Sequence, residues 1–462
     1  MIHKIIVLAA FWCLLTSQVV YAQKKVYSLE EVCQKTLRQY PSLASKKYQI
    51  EQRELDRDFI KKERLPEVNF QGQQSYGSYQ GVPGAFFPLA GIYNTSGGDK
   101  DLNGKNNAVS NLYTSAVLQW NFVQFGRIRT KLDIADVAIQ LSKMALTQEE
   151  LRLQTAVARQ YFTILRSTAF LSINTADAKR LEDLFDLSKA QANAGLRPGA
   201  DTLLVKSNYY QIKGQVNEQQ AILETAGMHL AALIGEDANS FAIDASLFNA
   251  TKTFTESPST DSLNNHPYLQ YLKATILYAN ASLEAVKRLP YPSAGLLAGT
   301  GIRGSGINSS GIANSSFSEP WKSNTSGYLI GVGVTWNFSS LYQNKVKQKM
   351  AEKEIQSAKA DYEEANLQLK TSYNTAVSRW KQQRARLIDA HTALEASQQA
   401  YDLYVIRYEN GLINLIELLQ LQKTLQDAEI NYVTATGAYW DELINQSESA
   451  GNLSLLLSQI NP

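Results

Sequence analysis

Three groups of residues in this chain are of types that could do chemistry. Gly299-Thr300-Gly301-Ile302-Arg303-Gly304 spells the Gly-x-Gly-x-x-Gly pattern that cradles a pyrophosphate; His229, His266 and His391 could ligate a metal or move a proton; Asp201 and Glu417 could present negative charge as a pair. The glycine pattern works only at the start of a helix, whose free N–H groups hold the phosphate. Here it runs into Ser305-Gly306-Ile307-Asn308-Ser309-Ser310-Gly311, which starts no helix, so the match is one of letters in a glycine-rich strand end. The histidines are scattered, and no His/Cys/Asp/Glu spacing suits a metal. A nucleophile elbow, a phosphate loop and a carboxylate pair set on a cleft are all missing. The expectation is a protein that is not an enzyme and has no cofactor and no metal.

Composition narrows the class further. The 462 residues are 44% hydrophobic and 19% charged, too apolar for disorder. Residues 1–22 read as a secretory leader: Lys4, an apolar core Ile5 to Leu15, and Val20-Tyr21-Ala22 as the cleavage site. Export leaves Cys33 as the one cysteine, so no internal disulfide forms. Lys4 leaves with the leader and no acid does, so 45 less one basic residues face 43 acidic ones. That balance excludes nucleic acid as a partner.

The two acids belong to a larger pattern. An offset of 216 relates Asp201 to Glu417, Trp120 to Trp336, Ile139-Gln140 to Ile355-Gln356 and Gly195-Leu196 to Gly411-Leu412. Four ungapped coincidences over some eighty residues read as a tandem duplication. Upstream, Arg38-Gln39-Tyr40-Pro41-Ser42-Leu43 corresponds to Asn264-Asn265-His266-Pro267-Tyr268-Leu269, and Leu65-Pro66 to Leu289-Pro290. Each half reads helix, strand, polar loop, strand, very long helix, sharp break, helix. The organisation expected is a leader at 1–22, a first repeat at 23–236, a linker at 237–261, a second repeat at 262–450 and a tail at 451–462.

From about Phe125 to Ala194 and from about Leu341 to Asn410 there is no proline, and apolar residues recur at three and four. About 70 helical residues make a rod of roughly 105 Å, which calls for coiled-coil packing along its length. Both rods stop at a glycine, and a new helix starts at Pro198 or Asn414. Connections that short turn the chain back on itself, giving two helical hairpins with tips at Ala194 to Asp201 and Asn410 to Glu417.

Before each rod stands an alternating strand. Leu112, Thr114, Ala116, Leu118, Trp120 and Phe122 share one face, as do Tyr328, Ile330, Val332, Val334, Trp336 and Phe338, with polar or small residues opposite. Their partners are Val68 to Ser78 and Ser293 to Arg303, and the polar loops Tyr79 to Ala108 and Gly304 to Asn324 lie between. Strands of about ten residues, oily on one face and ending in aromatics, fit a transmembrane β-barrel with Trp120, Phe122, Trp336 and Phe338 in its aromatic girdle against outer-membrane lipid. The chain has four such strands, and the smallest transmembrane barrels have about 8. Closure therefore requires an oligomer.

The segment Tyr27 to Leu43, the turns Gln119 to Arg129 and Thr335 to Lys345, and the two glycine tips resemble the TolC-type outer-membrane factor family over nearly the whole chain. The resemblance implies an α + β membrane protein: a homotrimer whose four strands per chain make a 12-stranded outer-membrane β-barrel continued by a periplasmic α-helical barrel. It implies an exit duct for efflux or type I secretion, joined through a periplasmic adaptor to an inner-membrane transporter. It further implies adaptor contact at the tips, Gly195, Leu196, Gly411 and Leu412, and a gate at Glu417 with its counterpart Asp201. The second gate acid of the family is replaced here by Gln420, and its basic tip residue by Ile413, with Arg197 at the equivalent place in the first tip. Glu417 has two readings, as gate acid or as the third residue of a helix begun by Asn414, where a carboxylate favours the helix start. An exported coiled-coil adhesin is the other reading of the rods; it leaves the paired amphipathic strands unexplained.

Overall fold

The computed structural model describes residues 25–77, 108–245, 248, 260–307, 310 and 312–460. The leader, the loop at 79–107 and most of the linker lie outside the described residues. Contacts divide the chain into two compact units that cut across the sequence repeats. One comprises the described residues of Met1–Tyr48, Lys143–Lys273 and Asp361–Pro462, the other those of Gln49–Ser142 and Ala274–Ala360.

The second unit carries an antiparallel sheet of β2 (Glu67–Gly77), β3 (Val109–Val123), β5 (Ser293–Ser305) and β6 (Asn324–Thr335) in the order β2-β3-β5-β6. Opposed residues of an antiparallel ladder share a face. Pairings such as Phe70 with Ala116, Ala116 with Thr300 and Thr300 with Tyr328 gather Val68, Phe70, Leu118, Ile330 and Val332 on one face. The other face holds Gln71, Gln73, Asn111, Ser115, Gly299, Gly301 and Gly331, along with Val109, Tyr113, Val117, Leu297 and Leu329. The alternation read from the sequence is thus the face separation of the sheet. The oily face is uncovered over much of its extent: Phe70 is 78% exposed, Tyr328 85% and Val332 71%.

Glycine is required at some of these positions. A Cβ on Gly301 would stand 3.0 Å from the Thr114 carbonyl, and one on Gly295 would stand 2.6 Å from Asn121. One boundary differs from the expectation, since β6 ends at Thr335 and leaves Trp336 and Phe338 in the turn beyond it. Ladder pairing also becomes irregular between Trp120 and Val123. The chain then turns through Phe125 (φ +45°) and Gly126 (φ +87°) into α3 (Arg127–Asn193). Arg127 at the start of α3 donates to the carbonyls of Arg288, Leu289 and Tyr291, which fastens the end of α5 (Pro267–Arg288) to the same junction.

The first unit is helical. After β1 (Lys25–Tyr27) come α1 (Leu29–Gln39) and α2 (Pro41–Lys62), divided at Pro41, which cannot donate to the helix before it. Ser28 and Glu31 cap α1 reciprocally at 3.3 and 2.9 Å. The long α3 is followed by α4 (Gly199–Ile234), and α7 (Ser340–Glu409) by α8 (Leu415–Ala450); a short α9 (Ser454–Ile460) ends the described chain. Val157, Tyr161 and Leu165 of α3, Leu230 and Ile234 of α4, Trp380 of α7 and Trp440 of α8 form a continuous core, with Phe162 stacked on Trp440 at 4.7 Å. Each fully buried side chain of this size is worth roughly 1.5–3 kcal/mol, which holds the helices together where isolated helix propensity would not.

Three short elements of this unit carry no periodicity. β1 pairs in parallel with β4 (Phe241–Ile243), and α9 buries Leu456 in the same core. The linker, which has no periodicity, therefore contributes a strand to the helical unit.

Candidate functional site

The helical unit carries the two tips. In both, glycine takes the left-handed conformation that stops a helix: Gly195 and Gly411 each have φ +72°. The turns close alike, with the Leu196 N–H on the Gln191 carbonyl and the Leu412 N–H on the Arg407 carbonyl, each at 2.9 Å. Beyond the first glycine Pro198 starts α4 without a side-chain cap. Beyond the second, Asn414 caps α8: its Oδ1 accepts the Glu417 N–H and its amide donates to Glu417 Oε1, both at 2.9 Å.

Of the residues singled out in the sequence, the structure brings Arg197 onto the second tip. Its guanidinium donates to the Ile413 carbonyl at 3.1 Å and stands 5.4 Å from the Tyr408 ring. Tyr408 is fully buried, and its hydroxyl donates to Gln191 Oε1 at 3.3 Å. Burial raises the pKa of this phenol, and the neighbouring Arg197 opposes that rise. Arg197 and Tyr408 together clamp one hairpin end to the other. Glu417 and Gln420 are exposed and Asp201 half-buried, while Leu196 and Leu412 present uncovered apolar side chains.

A second tie between hairpins gave no signal in the sequence. Arg180 of α3 binds Glu429 of α8 with two hydrogen bonds, at 2.7 and 3.1 Å, and reaches Asp177 one turn before it at 3.3 Å. Asp177 is fully buried and accepts at 2.7 Å from Gln422 of α8. The partners lie 249 residues apart and off the 216-residue offset, so neither spacing nor repetition points to them.

Several ionisable groups outside the tips are engaged by neighbours. A cleft of about 880 Å³ in the helical unit is lined by Lys46, Glu149, Arg152, His266 and Glu442 among others. Glu149 is engaged by Arg152 at 2.7 Å and Ser42 at 2.6 Å. His266, 5% exposed, faces the Glu448 carbonyl through Nε2 at 3.0 Å and accepts the Tyr268 N–H on Nδ1. Burial lowers its pKa, so this histidine is a neutral cap at the start of α5. His391 has its side chain 53% exposed, edge-on to Tyr432. Among the described residues no cluster of His, Cys, Asp and Glu could hold a metal, and no helix is long and apolar enough to cross a membrane.

In the sheet unit the aromatic residues at the strand ends have a double setting. The Trp120 indole donates to the Arg64 carbonyl at 2.8 Å and the Trp336 indole to the Pro290 carbonyl at 2.9 Å. Each ring lies beside the phenylalanine two residues on, Phe122 or Phe338. The polar atom is thereby satisfied by backbone while the rings stay 39% and 46% exposed. Such an arrangement suits an interface that is oily on one side and wet on the other.

Comparison with known proteins gives one consistent result. The sequence profile of the family described as "Outer membrane efflux protein" matches residues 32–236 and 259–452. Curated protein sequences give no match. Among solved structures, the chain is similar to the Campylobacter jejuni CmeC outer membrane channel, with a TM-score of 0.72 and 13% identity, covering 96% of this chain and 94% of that one. It is similar to the outer membrane protein VceC of Vibrio cholerae, TM-score 0.70 and 14% identity, over 92% and 96% of the two chains. The open state of the Neisseria gonorrhoeae MtrE outer membrane channel gives a TM-score of 0.69 and 18% identity, over 92% and 89%. At these identities the structures establish likeness of fold.

Proposed function

Because the chain belongs to the outer membrane efflux protein family, we propose that it is the outer-membrane exit duct of a tripartite efflux pump or a type I secretion system, conducting passively across the outer membrane. The observation that carries this reading is the four-stranded sheet with one uncovered oily face, one glycine-rich polar face, and two edge strands, β2 and β6. Lipid offers nothing to an unpaired strand edge, so a membrane-spanning sheet must close. Three copies closing edge to edge give about 12 strands, wide enough to leave room for a lumen between the small diameter of an 8-stranded barrel and the channel of a 16-stranded one.

The remaining assignments follow from that frame. The two halves are a tandem duplication, and the helical unit of each copy contributes to a periplasmic helical barrel. The exposed tip leucines, Leu196 and Leu412, with their glycines, meet a periplasmic adaptor, which links the duct to an inner-membrane transporter. Glu417 and Asp201 border the lumen entrance, and Gln420 removes one of the charges the family places there. Trp120, Phe122, Trp336 and Phe338 form the girdle on the periplasmic side. The test is reconstitution of the purified protein in planar bilayers: discrete conducting channels are expected, and a protein that inserts without conductance would reject the duct.

A further inference from the structure

The sheet has a second end, and there the described part of the β5–β6 connection is folded back on it. Residues 312–323 include one helical turn, α6 (Glu319–Lys322). The segment is closed by the Ser305 N–H on the Ser323 carbonyl at 3.2 Å and the Asn324 amide on the Trp321 carbonyl at 2.7 Å. It lies on the oily face. Gly304 belongs to that face, opposite Leu112, and a Cβ there would stand 1.9 Å from the Pro320 carbonyl. Leu112 is 3% exposed. Gln74, opposite Leu112 on β2, holds the segment with both ends of its amide, donating to the Phe317 carbonyl at 2.6 Å and accepting from the Trp321 indole at 3.2 Å.

What this fixed backbone presents is aromatic. Phe317 is 62% exposed and Trp321 59%, with Tyr76 of β2 at 54% and Lys322 exposed beside them. Exposed rings of this size on a tethered turn are costly in water and favoured where a membrane meets it.

The spacing decides between those settings. Trp120 of the girdle and Leu112 beneath α6 are eight residues apart on β3. At about 3.4 Å per residue that is roughly 27 Å along the strand, and a tilt of about 40° projects it to roughly 20 Å. The Trp321 indole binds Gln74, opposite Leu112, so the two aromatic groups bracket a band of roughly 20 Å, close to the ~25 Å apolar height of an outer-membrane barrel.

We propose that the 312–323 segment is a membrane-interface anchor: Phe317, Trp321 and Tyr76 seat in the headgroup region of the outer leaflet, opposite the Trp120 and Trp336 girdle, with Gln74 as the residue that positions it. This rests on the reading of the sheet as membrane-spanning. The test compares the full-length protein with Trp321→Phe and Trp336→Phe in phosphatidylcholine vesicles brominated at shallow acyl positions, taking each tryptophan's emission as the difference from wild type. The Trp321 component is expected to lose about twofold or more of its intensity to the brominated lipid, as an interfacial indole does, and to resist aqueous iodide. If Trp336 is quenched by lipid and Trp321 only by iodide, the anchor is wrong and the spanning sheet stands. If neither is quenched by lipid, the membrane-spanning reading fails and takes the anchor with it.

Discussion

At the scale of single residues, Glu417 separates two roles that sequence leaves merged. Its carboxylate accepts from the side-chain amide of Asn414 at 2.9 Å, so it braces the cap of α8 whatever else it does. Glu417→Gln keeps an acceptor in that place and removes only the charge, costing about 0.3–1 kcal/mol through the helix dipole. Single-channel conductance of this variant is expected to rise, with thermal stability little changed; a variant of unaltered conductance would reduce Glu417 to its capping role. Cys33 is the opposite case, a residue whose chemistry is suppressed. Burial, with a smaller contribution from the Glu30 charge, pushes its thiol up to about 12, so almost none is thiolate near neutrality and only thiolate reacts. Native protein at pH 8 should resist maleimide that the denatured chain takes up at once, and rapid native labelling would contradict the burial.

At the scale of elements, the sequence was informative where a side-chain period ran unbroken. Strand faces and rod limits agree with the alternation of Leu112 to Phe122 and the proline-free stretches to within a few residues, and Gly195 and Gly411 mark the helix ends by their backbone demands. Three-residue strands such as β1 and β4 have no period to read, and their pairing spans more than two hundred residues. Trp336 and Phe338 continue the alternation of β6 after the ladder has stopped at Thr335, so pattern alone overran the strand. Arg180 was illegible for a related reason, because its value lies in Glu429 on another helix. Arg180→Ala leaves Asp177 and Glu429 enclosed without their cation, and should destabilise the helical unit by about 3 kcal/mol, the low end for breaking a buried pair whose cation is partly solvated. Chemical denaturation reads this directly, and a loss under about 1 kcal/mol would class the pair with ordinary surface ion pairs.

At the scale of the whole molecule, the proposed duct needs more than one chain. The sheet of one chain ends in two unpaired edge strands, which lipid does not tolerate, and much of its oily face is bare, which water disfavours. Periodicity within the chain revealed the strands and their faces, but the number of chains that close them is a property of the contacts between copies. Closure by three is therefore the claim on which lumen, gate and girdle all depend. The most direct test is the mass of the complex extracted in detergent from outer membranes, by native mass spectrometry. The account predicts three copies of the chain, released only by detergent; a stable monomer, or a protein that washes free without detergent, would contradict it.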